Sequence, residues 1–347
     1  MKAARFYGVG KNLVVEEVPT PQPGPGEALV AVKACGICGT DIHIAVEGII
    51  PTTFQPITLG HEVAGVVVEI GPGVNGVKVG DRVCIFCFLS CGHCINCQMG
   101  RPQLCLYGNK CIGVHADGGL AEYVCMPIIN LVPLPESISF EHGAILTDAV
   151  ATPFHAITVT AKLRAGESVA VFGCGGLGIH AIQIARLSGA SLIIAVDMAD
   201  VILERASRVG ADVLVNASRI DPVEAIREAT HGLGVDLALE MVGLAKTISQ
   251  SVASLCIGGR AVVVGVGTEP IQTIPIRQFV RKEVSLLGSY AFTPIEIQKV
   301  VSLVQAGKLD LSWSISHKLP LKEINEGLDR LYRKVDYPAR IVILPEL

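Results

Sequence analysis

Residues 168–197 read SVAVFGCGGLGIHAIQIARLSGASLIIAVD. An unbroken apolar run, SVAVFG, leads straight into Gly173-x-Gly175-x-x-Gly178. Helically spaced apolar residues follow (IHAIQIARLSGA), and a second run, LIIAVD, ends on Asp197. A strand with no polar face is one covered on both sides, as in parallel sheets, and parallel strands need a crossover helix between them. This stretch therefore commits the second half of the chain to an α/β fold. The glycines allow a tight turn and let a pyrophosphate approach a helix N-terminus. Gly173, Gly175, Gly176, Leu177 and Gly178 form the expected phosphate-facing turn. Asp197, nineteen residues after Gly178, stands where an acid accepts hydrogen bonds from the adenosine ribose. Its charge would repel a 2′-phosphate, and no arginine follows before Arg205. NAD is expected rather than NADP.

The rhythm continues downstream. ADVLVNA, VDLALEMVG, RAVVVGVG and VSLLGSY read as strands, and PVEAIREAT and KTISQSVASLC as helices. With the first two runs this makes six strands between residues 168 and 290, enough for a doubly wound parallel sheet. At 347 residues the chain is too long for one ordinary core, so a second domain is expected. Residues before 140 supply it: LVVEEV and EALVAVKA flank the turn-rich PTPQPGPGE, and HEVAGVVVEIGPGVNGVKVGDRVCIF breaks at its glycines. These are strand and turn signals. The period becomes helical at EHGAILTDAVATPFHAITVTA; two amphipathic helices follow the sheet, and ARIVILP is a closing strand expected to rejoin the first domain. The expected boundaries are 1–152, 153–290 and 291–347, with a small lobe at about 88–110.

The net charge of −4 offers no basic face, so nucleic acid is not expected as a partner. No run of 18 apolar residues suggests a membrane span. The N-terminal MKAARFYGVGKN lacks an apolar h-region, which points to a cytoplasmic protein. In a reducing compartment twelve cysteines point to metal more than to disulfides. Eight of the twelve lie between Cys84 and Cys125. Cys91, Cys94, Cys97 and Cys105 make a C-x2-C-x2-C-x7-C array, whose four thiolates can close a tetrahedral zinc shell with no open position. An iron–sulfur cluster or four unrelated core thiols are the alternatives; the proline that usually follows the fourth cysteine of a ferredoxin run is missing. His93 is read as a solvated loop residue, and Cys84, Cys87, Cys111 and Cys125 as buried small hydrophobes.

Residues 35–43 read CGICGTDIH, and Gly60-His61-Glu62 follows in the next segment. A thiolate from one loop and an imidazole from another can build a zinc site. If Cys38 and His61 share one Zn2+, Thr40 and His43 fall beside it, where a proton must leave an alcohol. A tight turn with buried thiols is the plainer reading. Asp148 lies in the apolar run AILTDAVATPFHA. A carboxylate there is costly unless it is paired or binds metal, so it is either a third ligand or a helix N-cap.

Together these motifs make the chain similar to the zinc-dependent medium-chain alcohol dehydrogenases. The carriers are CGICGTDIH, the GHExxGxxxxxGxxV pattern at Gly60, His61, Glu62, Gly65, Gly71 and Val74, the four-cysteine lobe, TDAVATPFHA, FGCGGLG and the terminal ARIVI. The resemblance implies a GroES-like β-barrel followed by a Rossmann domain, with the active site in the cleft between them. It implies Cys38, His61 and Asp148 as catalytic zinc ligands, with Glu62 a ligand or just outside the shell. It makes Thr40 and His43 the proton relay, running through the cofactor ribose, and Asp41 the acid that orients His61. It places Thr152, Val264 and Val266 near the nicotinamide and Arg340 at the pyrophosphate. Gly39 stands where some relatives carry an arginine, so one phosphate contact is missing.

The implied reaction is hydride transfer between an alcohol and NAD, giving an aldehyde or ketone, with two zinc ions per chain. A polyol or L-threonine dehydrogenase of the same family is the alternative. A zinc-ribbon binding protein would carry a basic face and no relay; a non-catalytic relative would have lost Cys38 or His61. Ile49, Ile50, Phe54, Phe86, Phe88, Leu287 and Tyr290 are the candidate pocket lining. Their apolar character favours a substrate with a hydrocarbon body. The implied assembly is a homo-oligomer, a dimer or tetramer.

Overall fold

The strand Glu27–Ile37 is buried along nearly its whole length, and such a strand needs partners on both edges. Glu62–Ile70 runs antiparallel on one side, from Ala28 opposite Ile70 to Gly36 opposite Glu62. On the other side Tyr123–Pro127 pairs with its first half, and Ile341–Leu344, from the far end of the chain, with its second. Arg82–Ile85 and Leu131–Pro133 extend the sheet at one edge, and His317–Pro320 at the other. A smaller sheet sets Lys2–Phe6 between Val14–Glu17 and Ile57–Thr58. The computed structural model describes residues 1–347 except Asn109 and Gln272. All these strands belong to one of two units, made of Met1–Ala151, Phe292–Gly307 and Leu311–Leu347.

The register has a chemical consequence. Ile37, Glu62 and Ile341 meet at one end of three neighbouring strands. Cys38, His61 and Arg340 are the residues just beyond or at those ends, so the sheet gathers two neighbouring segments and one from the far end of the chain. The helix Phe140–Ile145 packs against the same strands. Ser139 caps it by accepting the His142 N–H. Burying a side chain such as Ile145 there stabilises the unit by about 1.5–3 kcal/mol. The helix then widens into a π turn at Leu146–Val150, resumes at Ala151–His155 and widens again at Ala156–Thr160.

The second unit, Thr152–Ala291 with Lys308–Asp310, is the parallel sheet the apolar runs require. Its strands lie in the order Val213–Asn216, Leu192–Asp197, Ser168–Phe172, Val235–Glu240, Leu255–Val263, Ser285–Gly288. The chain moves outward from Ser168–Phe172 in one direction, then returns and moves outward in the other. That strand and Val235–Glu240 flank the switch point, where open α/β sheets bind ligands at the carboxyl ends of their strands. Phe172, Ile194, Val196, Ala238 and Ala261 form part of the buried core. Among the described residues no helix is long and apolar enough to cross a membrane.

Candidate active site

Cys38 ends the central strand and starts the helix Gly39–Ala45. Its Sγ accepts the Thr40 N–H at 3.2 Å, while the Asp41 carboxylate accepts the Cys38 N–H at 3.0 Å, which closes a capping box. Cys38 Sγ lies 3.1 Å from His61 Nε2. Cys38, His61, Glu62 and Asp148 each offer a ligand atom, and the four atoms all lie within 4.8 Å of one another. Glu62 is wholly buried, and Gly36 makes room for it: a Cβ there would come within 2.0 Å of Glu62 Oε2. Arg340 Nη2 lies 3.1 Å from Glu62 Oε1 and 3.6 Å from Asp148 Oδ2. The angles miss hydrogen-bond geometry, so both Glu62 oxygens and His61 Nδ1 are buried without a hydrogen bond.

These groups fit a divalent cation. Burial pushes the Cys38 thiol and the Asp41 and Glu62 carboxyls up. Burial alone would pull the His61 imidazole down, but the adjacent Cys38 sulfur, together with Asp41 and Cys111, outweighs it and pushes the imidazole up. A thiol, an imidazole and two acids converging around a single guanidinium present more potential negative charge than that guanidinium balances. A soft-to-borderline metal with tetrahedral preference suits this donor set.

Thr40 and His43 follow on the same helix, one turn apart, and so share a face. The His43 imidazole is fixed by Glu47, Nδ1 to Oε2 at 2.6 Å, and is partly exposed. Asp148 is not a helix cap. It sits inside the π turn Leu146–Val150, a local widening often found at functional sites. Asp41 departs from expectation as well: its hydrogen bond goes to the Cys38 N–H, not to His61, which it faces as a buried charge.

The second cluster is local. Cys91, Cys94, Cys97 and Cys105 bring four Sγ atoms within 4.8 Å of one another. Cys94 caps the short helix Ile95–Gln98, and Cys105 follows the 3₁₀ turn Pro102–Leu104. Backbone N–H groups of Cys91 and Gly108 point at Cys105 Sγ, and that of Cys94 at Cys91 Sγ. Backbone donors, that of Leu106 first, bring the Cys94 thiol down to about 6. His93 is exposed and stacks on Tyr107. Cys84, Cys87 and Cys111 are buried, but Cys125 is only partly so, with its thiol against Glu27.

In the second unit, Gly173 has a φ of +85°, and a Cβ at Gly178 would lie 2.0 Å from the Gly173 carbonyl oxygen. Around Gly175 there is open space, and no side chain caps the helix Gly178–Leu187. Gly176 and Leu177 complete the turn, leaving a cradle for phosphate at a helix N-terminus. Asp197 is held from below: Oδ2 accepts the Cys174 N–H, and Oδ1 accepts those of Met198 and Ala199. Thr152 is buried in the helix Ala151–His155. Val264 follows the strand Leu255–Val263, and Val266 is 47% exposed.

Two sequence models cover much of the chain: the alcohol dehydrogenase GroES-like domain at residues 24–136 and the zinc-binding dehydrogenase at residues 176–306. An alcohol dehydrogenase of Geobacillus stearothermophilus is 38% identical over 96% of this chain and 96% of its own length. The chain belongs to the zinc-binding dehydrogenase family. Within it, an L-threonine 3-dehydrogenase of Symbiobacterium thermophilum is 34% identical over 100% of this chain and 98% of its own length. The solved structure of an NAD-dependent alcohol dehydrogenase superposes with a TM-score of 0.92 at 31% identity, covering 99% of each chain. The family's GroES-like and Rossmann folds are those of the two units.

Two features of this zinc-binding dehydrogenase escaped the sequence. Phe292 packs its ring on Phe86 and Phe88, with centroids 5.9 and 6.2 Å away, and those two are 5.6 Å apart. Phe54, expected in the pocket lining, is 43% exposed. Arg340, assigned to the pyrophosphate by resemblance, has Glu62 and Asp148 as its nearest acids; the sign was a lone arginine opening an otherwise apolar terminal strand.

Proposed function

We propose that the chain is an NAD-dependent alcohol dehydrogenase whose substrate is a primary or secondary alcohol with a largely hydrocarbon body, or the matching aldehyde or ketone. The observation that carries this is the set of buried Cys38, His61 and Glu62 with half-buried Asp148, their ligand atoms mutually within 4.8 Å. Cys38, His61 and Asp148 would hold the catalytic zinc, with Glu62 as fourth ligand or alternate to water. Cys91, Cys94, Cys97 and Cys105 would hold a second, structural zinc. Bound zinc supplies Lewis-acid polarisation of the substrate oxygen, and bound NAD supplies the hydride acceptor.

The chain's own residues do the rest. Thr40 takes the hydroxyl proton, and His43, held by Glu47, releases it to water. Asp197 accepts the adenosine ribose hydroxyls and excludes a 2′-phosphate. Gly173, Gly175, Gly176, Leu177 and Gly178 cradle the pyrophosphate, and Arg340, whose Nε has no hydrogen-bond partner, adds a cation to it. Thr152, Val264 and Val266 form the nicotinamide side. A cytoplasmic dimer or tetramer is the expected assembly.

The threonine dehydrogenase relative and a solved 2R,3R-butanediol dehydrogenase of Bacillus subtilis, 32% identical with a TM-score of 0.89, favour a second reading as a threonine or polyol dehydrogenase. A screen of NAD+ reduction with aliphatic, cyclic and aromatic alcohols, polyols and L-threonine separates them. Turnover of apolar alcohols above threonine and polyols supports the first reading; the reverse order replaces it with the second.

A further inference from the structure

We propose that Glu240 positions the nicotinamide end of the cofactor, by clamping the loop 241–244 against the loop 264–267. This rests on the NAD reading above. Glu240 ends its strand with a fully buried carboxylate. Oε1 accepts the N–H groups of Val242 and Gly243 at 3.0 and 2.9 Å and the Thr247 hydroxyl at 2.7 Å. Oε2 accepts the Gly243 N–H at 3.1 Å. Its main-chain carbonyl accepts the N–H groups of Val264 and Gly265 at 2.8 and 3.1 Å. One residue therefore ties down both loops at the carboxyl end of the sheet, the side chain holding one and the backbone the other.

The two loops touch backbone to backbone. A Cβ at Gly265 would lie 2.1 Å from Gly243 N, and one at Gly267 would lie 2.0 Å from Gly243 O. Gly243 itself, at φ +86°, would set a Cβ 2.4 Å from the Val266 carbonyl oxygen. On the opposite flank a Cβ at Gly173 would meet Val242 Cγ2 at 2.6 Å. The Gly243 contacts are backbone on backbone, whereas Val242 meets the glycine turn only through a side-chain end that can turn away, so a shift of the loop 241–244 moves Val264 and Val266 and leaves the phosphate turn in place.

The donor set explains why an acid stands here. Among the described residues Glu240 has no ion-pair partner, and only neutral donors converge on it. A carboxylate accepts with both oxygens and donates nothing, so every one of these donors finds an acceptor. A glutamine would keep Oε1 but turn an NH2 group toward the Gly243 N–H. The adenosine end is anchored separately, through Asp197, so loss of Glu240 should be felt at one end of the dinucleotide only.

The test compares two ligands by calorimetry: NADH, and ADP-ribose, which lacks the nicotinamide. Glu240→Ala should weaken NADH by about tenfold, the cost of a lost hydrogen-bonded support. ADP-ribose should stay within about twofold. Glu240→Gln should fall between Glu240→Ala and the unmodified protein, and Thr247→Val, which removes one donor, should show the smallest selective loss. If Glu240→Ala does not fold, the other two variants decide in the same way. Equal weakening of both ligands, or no change in either, would make Glu240 a fold residue only. An unmodified chain that binds neither ligand would instead overturn the NAD reading itself.

Discussion

The two metal-capable clusters of the first unit differ in how the chain makes them. Cys91, Cys94, Cys97 and Cys105 come from one fifteen-residue stretch, shaped by a four-residue helix and a 3₁₀ turn. They offer only sulfur, partly exposed, supported by backbone N–H donors. Cys38, His61, Glu62 and Asp148 come from three segments, and only strand register and a widened helix turn bring them together. They offer mixed donors, three of them buried and Asp148 half-buried, with His61 Nδ1 and both Glu62 oxygens left without hydrogen bonds. A local set of four thiolates closes its metal and can only hold a lobe. A set assembled by tertiary structure, with a neutral imidazole and an acid in place of thiolates, leaves the metal electron-poor enough for chemistry.

The largest expected effect separates the clusters directly. Cys38→Ser should remove about one zinc equivalent and cut turnover by at least ~100-fold, beyond the range for disturbing a metal's surroundings, while the melting temperature moves little. Cys97→Ser should lower stability by an order of ~3 kcal/mol or more through loss of the lobe's metal. The protein that stays folded should keep its chemistry. Metal analysis, melting curves and kinetics on both variants check the pair, and a swap of the two outcomes would break the comparison.

Asp148→Asn keeps the size and removes the charge. It should lower zinc occupancy and activity together, by about 10–100-fold, while Asp148→Cys restores a thiolate and should be better tolerated. Full zinc and full turnover in Asp148→Asn would leave Glu62 as the third ligand. Gly36→Ala sharpens the contrast further, because the new Cβ would fall 2.0 Å from Glu62 Oε2 and far along the chain from the four cysteines. It should weaken zinc retention in the open cluster alone, read as faster loss of one equivalent to a chelator, by roughly tenfold. Loss of both equivalents at the same rate would show the clusters to be coupled.

Asp197→Ala is a cofactor change that should leave both clusters loaded. Removing the charge should narrow the preference for NAD+ over NADP+ by about tenfold, in the range of one close charge interaction, as measured by the ratio of kcat/KM values. An unmodified enzyme that used both cofactors equally would contradict the ribose role of Asp197. The smallest effect is expected at His93, exposed and stacked on Tyr107: His93→Ala should change stability by less than about 0.5 kcal/mol and leave zinc content unchanged.

How far the sequence could be read follows the same division. The four-cysteine spacing and the glycine turn are local, so their chemistry shows in consecutive residues, and the structure brings those residues together. The six parallel strands were legible because each is a short apolar run between turn residues. The π turn around Asp148 was not, because a helix buried on all sides carries no periodicity from which one extra residue per turn could be noticed. Asp41 shows a different limit. Its place beside His61 follows from the helix, but whether its carboxylate turns to His61 or to the Cys38 N–H is settled by the capping geometry. Phe292 and Arg340 lie beyond the parallel sheet in sequence, and only the pairing of Ile341–Leu344 with the central strand brings Arg340 to Glu62.

The central claim is that one unit holds two zinc ions with separate tasks. The most direct measurement follows zinc content and turnover in the same sample during slow chelation of the intact enzyme. The account predicts about two equivalents at the start. Activity should fall in proportion to loss of the first, and the melting temperature should drop only with loss of the second. One equivalent in fully active protein, or activity that survives until the second ion leaves, would contradict it.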